Sequence, residues 1–188
     1  MKGFTIFEVV ITASIIAIIS AALLGNYTVF AARMNLRRAA QQMAFSIREV
    51  QASAFAVRGF DPDGTGPLAP VFNGWGANFD KTISLTEYRI FVDLNGDNLY
   101  QSGELVKTVS IPNNVKILNL CAGLKSGDVV DDDCTLSRLD IFYQRPNPDT
   151  ALKGNGATAY SDLEIQIQGT EGSVRTVVVL KSGQISTE

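Results

Sequence analysis

Two hydrophobic rhythms divide this chain. From Phe4 to Leu24 every residue except Glu8 is apolar or small and uncharged, and a helix needs roughly 20 such residues to cross the hydrocarbon core of a bilayer. The run predicts a transmembrane segment over 4–24. Beyond it no proline occurs before Arg58, and Leu36, Ala40, Met43, Ile47, Val50 and Ala54 recur at alternating steps of four and three, which is one stripe of a helix. Together the two parts predict a single helix over 4–58, roughly 80 Å long at 1.5 Å per residue. Its second half, 25–58, is amphipathic and lies on a folded domain, and Gly25-Asn26 is where it would bend.

After Gly59, which stops the helix, the period changes. Asp61-Pro62-Asp63-Gly64-Thr65-Gly66-Pro67 is loop by composition, and the remainder reads as β. Strands are expected at Glu87–Val92, Leu105–Ile111, Val115–Leu120, Arg138–Tyr143, Leu163–Gln168 and Val174–Lys181, with a short last one after Ser182-Gly183. Leu163-Glu164-Ile165-Gln166-Ile167-Gln168 alternates cleanly, which argues a sheet with one wet face. Ala151–Ser161, rich in Gly, Ala and Thr, reads as a mobile loop. The fold class expected is α+β: a long N-terminal helix packed on a C-terminal antiparallel β-sheet domain over 59–188.

Composition narrows the chemistry. The 46% hydrophobic content of the 188 residues is enough for one packed domain beyond the membrane segment. Histidine is absent, which removes Ser/His and Cys/His pairs and the commonest general base. No G-x-S-x-G motif is present either, so a membrane-anchored enzyme would rest on carboxylates alone, and no enzymatic activity is expected. The net charge of −3 hides an asymmetry: residues 1–58 hold six basic and two acidic groups, net +4, and residues 59–188 hold ten basic and seventeen acidic groups, net −7. An acidic domain repels a nucleic-acid backbone unless a local basic patch overcomes its field. The basic cluster Arg33, Arg37, Arg38 reads first as a solvated face, with lipid headgroups or a neighbouring subunit as the alternatives.

Glu8 is the most informative residue, because an acid in an apolar span is costly and calls for a named partner. The order Gly3, Phe4, Thr5, Glu8, then an apolar run, resembles the signal of type IV prepilins and type II secretion pseudopilins. That resemblance implies cleavage by a prepilin peptidase between Gly3 and Phe4, N-methylation of the new Phe4 amine, and pairing of Glu8 with the Phe4 ammonium of a neighbour in the filament. An ammonium and a carboxylate in a low-dielectric surround relieve each other's desolvation. Two plainer alternatives stand beside it: Glu8 as an anion favoured by the helix dipole, and an ordinary secretory signal, which only Lys2 and no clear cleavage site before Gly25 would support. Farther along, Asn73-Gly74-Trp75, Ile90-Phe91-Val92-Asp93 running into an Asn-Gly-Asp turn, Gly103-Glu104, and a closing Arg175-Thr176-Val177-Val178-Val179 with Gly183 resemble the H-type minor pseudopilins, the GspH/FimT-like proteins.

The resemblance implies a single-pass bacterial inner-membrane protein with an extracytoplasmic domain. Its partners would be other pilin subunits, the prepilin peptidase and the inner-membrane assembly platform. Its role would be structural, assembling into or priming a type IV pilus or a type II secretion pseudopilus. A DNA-binding minor pilin of a competence pilus is the alternative, and it needs basic residues gathered at one tip, whereas those of the domain are dispersed in sequence.

Two further constellations carry chemistry. Asp93, Asn95, Asp97, Gln101 and Glu104 place oxygen donors at positions 1, 3, 5, 9 and 12 of a twelve-residue loop, with the Leu99 carbonyl at position 7. This is the calcium spacing of an EF-hand, although Asn98 stands where glycine makes the turn and the flanks read as strands. A polar hairpin turn without an ion is the alternative. Cys121 and Cys134 are the only cysteines, and an exported compartment would oxidise them to a disulfide. Two buried thiols are the alternative, and a metal site lacks soft ligands. Asp131-Asp132-Asp133, between the cysteines, reads as a solvated face.

Overall fold

A computed structural model describes residues 3, 5–56, 58–61, 69–70, 74–123, 132–144, 150–156 and 158–188, with the side chains of 22–26, 69, 70, 132, 133 and 158 outside that description. Phe4, the loop at 62–67 and the side chains of the Asp131–Asp133 run therefore lie outside the described residues.

One helix, α1 (Ile6–Phe55), carries the first third of the chain and ends at Ala56, three residues short of Gly59. It runs through Gly25 and Asn26 as helix. All six stripe residues from Leu36 to Ala54 are buried, because spacings of four and three keep them on one face. That face meets two antiparallel sheets.

The first sheet has the order β10 (Thr158–Ala159), β9 (Thr150–Gly154), β8 (Arg138–Tyr143), β3 (Trp75–Asp80), β4 (Glu87–Val92), β5 (Leu105–Ser110). The second runs β13 (Ile185–Thr187), β12 (Val174–Leu180), β11 (Asp162–Gln168), β6 (Lys116–Gly123), β7 (Asp132–Leu136). A two-stranded ribbon, β1 (Gly59–Phe60) with β2 (Ala69–Pro70), follows the helix. The helix, packed on both sheets, makes the expected α+β class the observed one.

Polar groups on α1 fix it to both sheets. The Arg48 guanidinium donates to the Ile185 carbonyl at 2.8 Å, Gln51 donates to the Gly183 carbonyl at 3.3 Å, and Glu49 pairs with Lys107 of β5 at 3.3 Å. On β11 the apolar set Leu163, Ile165, Ile167 is buried and the polar set between is half-exposed, as the alternation predicts.

Three expectations need correction. Ala151–Ser161 is not a mobile loop: Thr150–Gly154 pairs along β8, and Thr158–Ala159 pairs back on it. Gly154 permits this, since a Cβ there would lie 2.6 Å from the Tyr160 ring. The helix ends before Gly59, which was expected to stop it, and Gly59 with Phe60 forms a short strand. Trp75–Asp80 is a central strand for which the chain offered no apolar alternation.

Candidate functional site

The N-terminal half of α1 stands clear of the domain with its apolar side chains in the open. Ile6 is 87% exposed and Phe7 73%, and Val9, Val10, Ile11, Ile15, Ile16, Ile18 and Ile19 are all exposed as well. At 100° per residue these positions ring the helix, and a helix apolar all round belongs in a protein core or a bilayer. Two hydroxyls in the run are satisfied within it: Thr12 donates to the Glu8 and Val9 carbonyls at 3.0 Å, and Ser14 to the Val10 carbonyl at 2.8 Å. A lipid-facing segment needs its polar groups closed in this way. Among the described residues, however, no helix is long and apolar enough to cross a membrane. Of the expected span 4–24 the side chains are described only over Thr5–Ala21, fewer than the roughly 20 residues a crossing takes.

Glu8 has a partner inside its own chain. Thr5 is the N-cap of α1, and the pair forms a capping box: the Glu8 N–H donates to Thr5 Oγ1 at 3.3 Å, while the Thr5 N–H and hydroxyl donate back to Glu8 Oε2 at 3.4 and 3.3 Å. The signal was present in the sequence as Thr-x-x-Glu before an apolar run. These are long hydrogen bonds, at the weak end of the range, and the carboxylate is exposed. An ammonium brought to Glu8 Oε2 would have to outcompete only these. Gly3 is described and open, with nothing within 4 Å of where a Cβ would stand. Phe4, its partner in the expected scissile bond, lies outside the described residues.

At the other end of the arm, Tyr27 (66% exposed) and Phe30 (63%) precede Arg33, Arg37 and Arg38, all exposed. None of the three arginines makes an ion pair among the described residues. Leu36 between them is the first residue of the helix to enter the core.

The acidic loop closes on itself. Asp93 is fully buried; its Oδ1 accepts from the N–H groups of Asn95 (3.1 Å) and Gly96 (2.6 Å), and its Oδ2 from Asn98 (2.9 Å). Glu104, also buried, accepts from Leu94 N–H at 3.0 Å and Gln101 N–H at 2.8 Å. Asp97 accepts from Leu99 N–H at 2.8 Å and from the side chains of Asn95 and Gln101. Asn98, at the position where a calcium loop has glycine, takes φ +61°, the left-handed turn glycine would supply. The oxygens of Asp93, Asn95, Asp97 and Glu104, with the Leu99 carbonyl and Gln101, are of the hard type calcium takes. In this closed form the carboxylates are already satisfied by the loop's own donors, and no group of three or more acidic or cysteine side chains among the described residues is gathered to hold a metal.

Sequence reasoning did not find what docks this loop. Arg138 donates to the Tyr100 carbonyl at 2.8 Å and to Asp140 Oδ2 at 2.8 Å, Tyr100 N–H donates to Asp140 Oδ1 at 3.3 Å, and Lys153 donates to the Asp97 carbonyl at 2.7 Å. Arg138 and Asp140, two apart on a strand, share a face, which is the trace they leave in the sequence.

Cys121 and Cys134 are joined by a disulfide between β6 and β7. Beside the end of α1, a cleft of about 250 Å³ is lined by Val50, Trp75 and Ile90 with Arg58, Glu49 and Lys107, the last two paired with each other. No protein-family model matches the chain, and comparisons with curated proteins and with solved structures likewise find no match.

Proposed function

We propose that this chain is a pilin-like structural subunit, a minor pilin or pseudopilin, held in a membrane by the first half of α1 and assembled into a filament through it. The observation that carries the proposal is the bare apolar arm with Glu8 as its one charged side chain between Gly3 and Ala32. An arm of this kind is costly in water at about 25 cal/mol per Å² of apolar surface, and two environments remove that cost: a bilayer before assembly and neighbouring arms afterwards. In the second environment Glu8 sits in low dielectric and needs a cation. The Phe4 ammonium created by cleavage after Gly3 is the group that the resemblance to prepilins provides. The prepilin peptidase and an inner-membrane assembly platform follow as partners, and the domain would face the extracytoplasmic side.

The test is Glu8→Ala. The variant should enter the membrane and be processed as the wild type is, because neither step uses the carboxylate, and it should be lost from filaments recovered by shearing or pull-down. Normal incorporation of the variant would refute the pairing.

A further inference from the structure

Resting on the membrane-anchored reading, we propose that Arg33, Arg37 and Arg38, with Lys116 and Arg175 of the domain, form a cationic collar that binds the headgroups of anionic phospholipids. The heights along α1 set the level. Glu8 to Phe30 spans about 33 Å at 1.5 Å per residue, close to a hydrocarbon core of roughly 30 Å. Exposed Tyr27 and Phe30 then stand at the outer boundary, where aromatic rings of a membrane helix concentrate. Arg33 lies about 5 Å above Phe30, and Arg37 and Arg38 about 10–12 Å above it. Helical side chains lean toward the N-terminus, so all three guanidinium groups reach back toward the headgroup layer.

The domain presents cations at the same level. A Cβ at Gly169 would lie 3.5 Å from Leu36, so the β11–β12 turn marks the end of the domain nearest the arm. There Gln168 pairs with Lys116, and Ile167 pairs with Arg175; both cations are exposed. The acids on these strand ends are Glu171 and Glu188. With exposed Glu87 at the start of β4, next to the start of β6, five cations face three acids among the described residues at the neck of a domain whose total is net −7. With a Debye length of about 8 Å at physiological salt, a membrane surface responds to this neck and is screened from the acids beyond it. Arg33, Arg37 and Arg38 are exposed and make no ion pair among the described residues, and the surface that complements them is a continuous anionic one at their own height.

The experiment reconstitutes the full chain in phosphatidylcholine bilayers containing spin-labelled phosphatidylglycerol or spin-labelled phosphatidylcholine and measures the motionally restricted fraction of each. At low salt the wild type should favour phosphatidylglycerol by about fivefold beside each collar arginine, the factor that one basic group near a charged surface supplies. The preference should collapse toward one in 1 M salt and in Arg33→Gln/Arg37→Gln/Arg38→Gln, whose melting midpoint stays that of the wild type. Restricted lipid without any preference would overturn the collar and leave the anchored arm standing. A preference unchanged in the triple variant would overturn it too. Absence of preference together with loss of self-association in the triple variant would overturn it and assign the arginines to the acidic surface of a second copy. No restricted lipid at all would remove the anchored arm and the collar with it.

Discussion

Truncating Ile47 to alanine should unfold the domain far more readily than truncating its near neighbour Phe45. Ile47 is fully buried in the stripe that α1 lays on both sheets, and Phe45, two residues earlier, is 66% exposed on the opposite side. Ile47→Ala removes three buried carbons, about 2.4 kcal/mol at roughly 0.8 kcal/mol each. A residual cavity of about 50 Å³ would add about 1.2 kcal/mol at roughly 24 cal/mol per Å³. The expected loss is therefore about 3.5 kcal/mol, or about 10 °C in melting midpoint for a domain of this size. Phe45→Ala should stay within about 0.5 kcal/mol, as surface changes do, with alanine's helix propensity favouring the variant slightly. Trp75 is the single tryptophan, buried, with its indole N–H on the Arg58 carbonyl at 3.2 Å. Its fluorescence reports the docking of the helix end during a urea titration of the full chain in mild detergent. Equal losses in the two variants, or a loss below about 1 kcal/mol for Ile47→Ala, would refute the packing of α1 as the centre of the fold.

Two further outcomes follow from the acidic loop and the disulfide. Replacing Cys121 and Cys134 by serine should lower stability by about 3 kcal/mol, because the 13-residue separation closes a loop of moderate entropy; thiol labelling of the unreduced, denatured wild type should find none. The twelve-residue spacing predicts that calcium, and not magnesium, raises the melting midpoint, by about 2.7 kcal/mol in stability at a hundredfold excess over the dissociation constant, and that Asp97→Ala abolishes the rise. A curve that chelator and calcium both leave unmoved would assign Asp93–Glu104 to a self-satisfied polar turn.

The sequence revealed most where burial is one-sided. Glu87–Val92 and Arg138–Tyr143 appear with the bounds their apolar runs indicate, and the helical stripe from Leu36 to Ala54 is the buried face. Trp75–Asp80 escaped because its core neighbours forced small and polar residues into a central strand. A Cβ at Gly76 would fall 2.3 Å from the Phe91 ring, and Asn78 is buried because it donates to Asp140 at 2.8 Å. Composition reads such a strand as loop, and only the partners across the sheet explain it. Asp132–Leu136 was hidden for a related reason: its pairing with β6 shifts register between Leu120 and Ala122, where the disulfide joins the strands. In the candidate site, the spacing of the acidic loop was visible, while Arg138, Asp140 and Lys153, which dock it, lie 34 or more residues beyond its end and leave only the Arg-x-Asp alternation as a trace.

The central claim, that this is a processed filament subunit, is tested most directly by the N-terminus of the protein isolated from the membranes of the cell that makes it. Mass spectrometry of the N-terminal peptide should find it beginning at Phe4 with one methyl group on the amine, since the resemblance places cleavage after Gly3. A peptide beginning at Met1, or one beginning beyond Gly25, would contradict the account: the first leaves no Phe4 ammonium for Glu8 to meet, and the second removes the arm altogether.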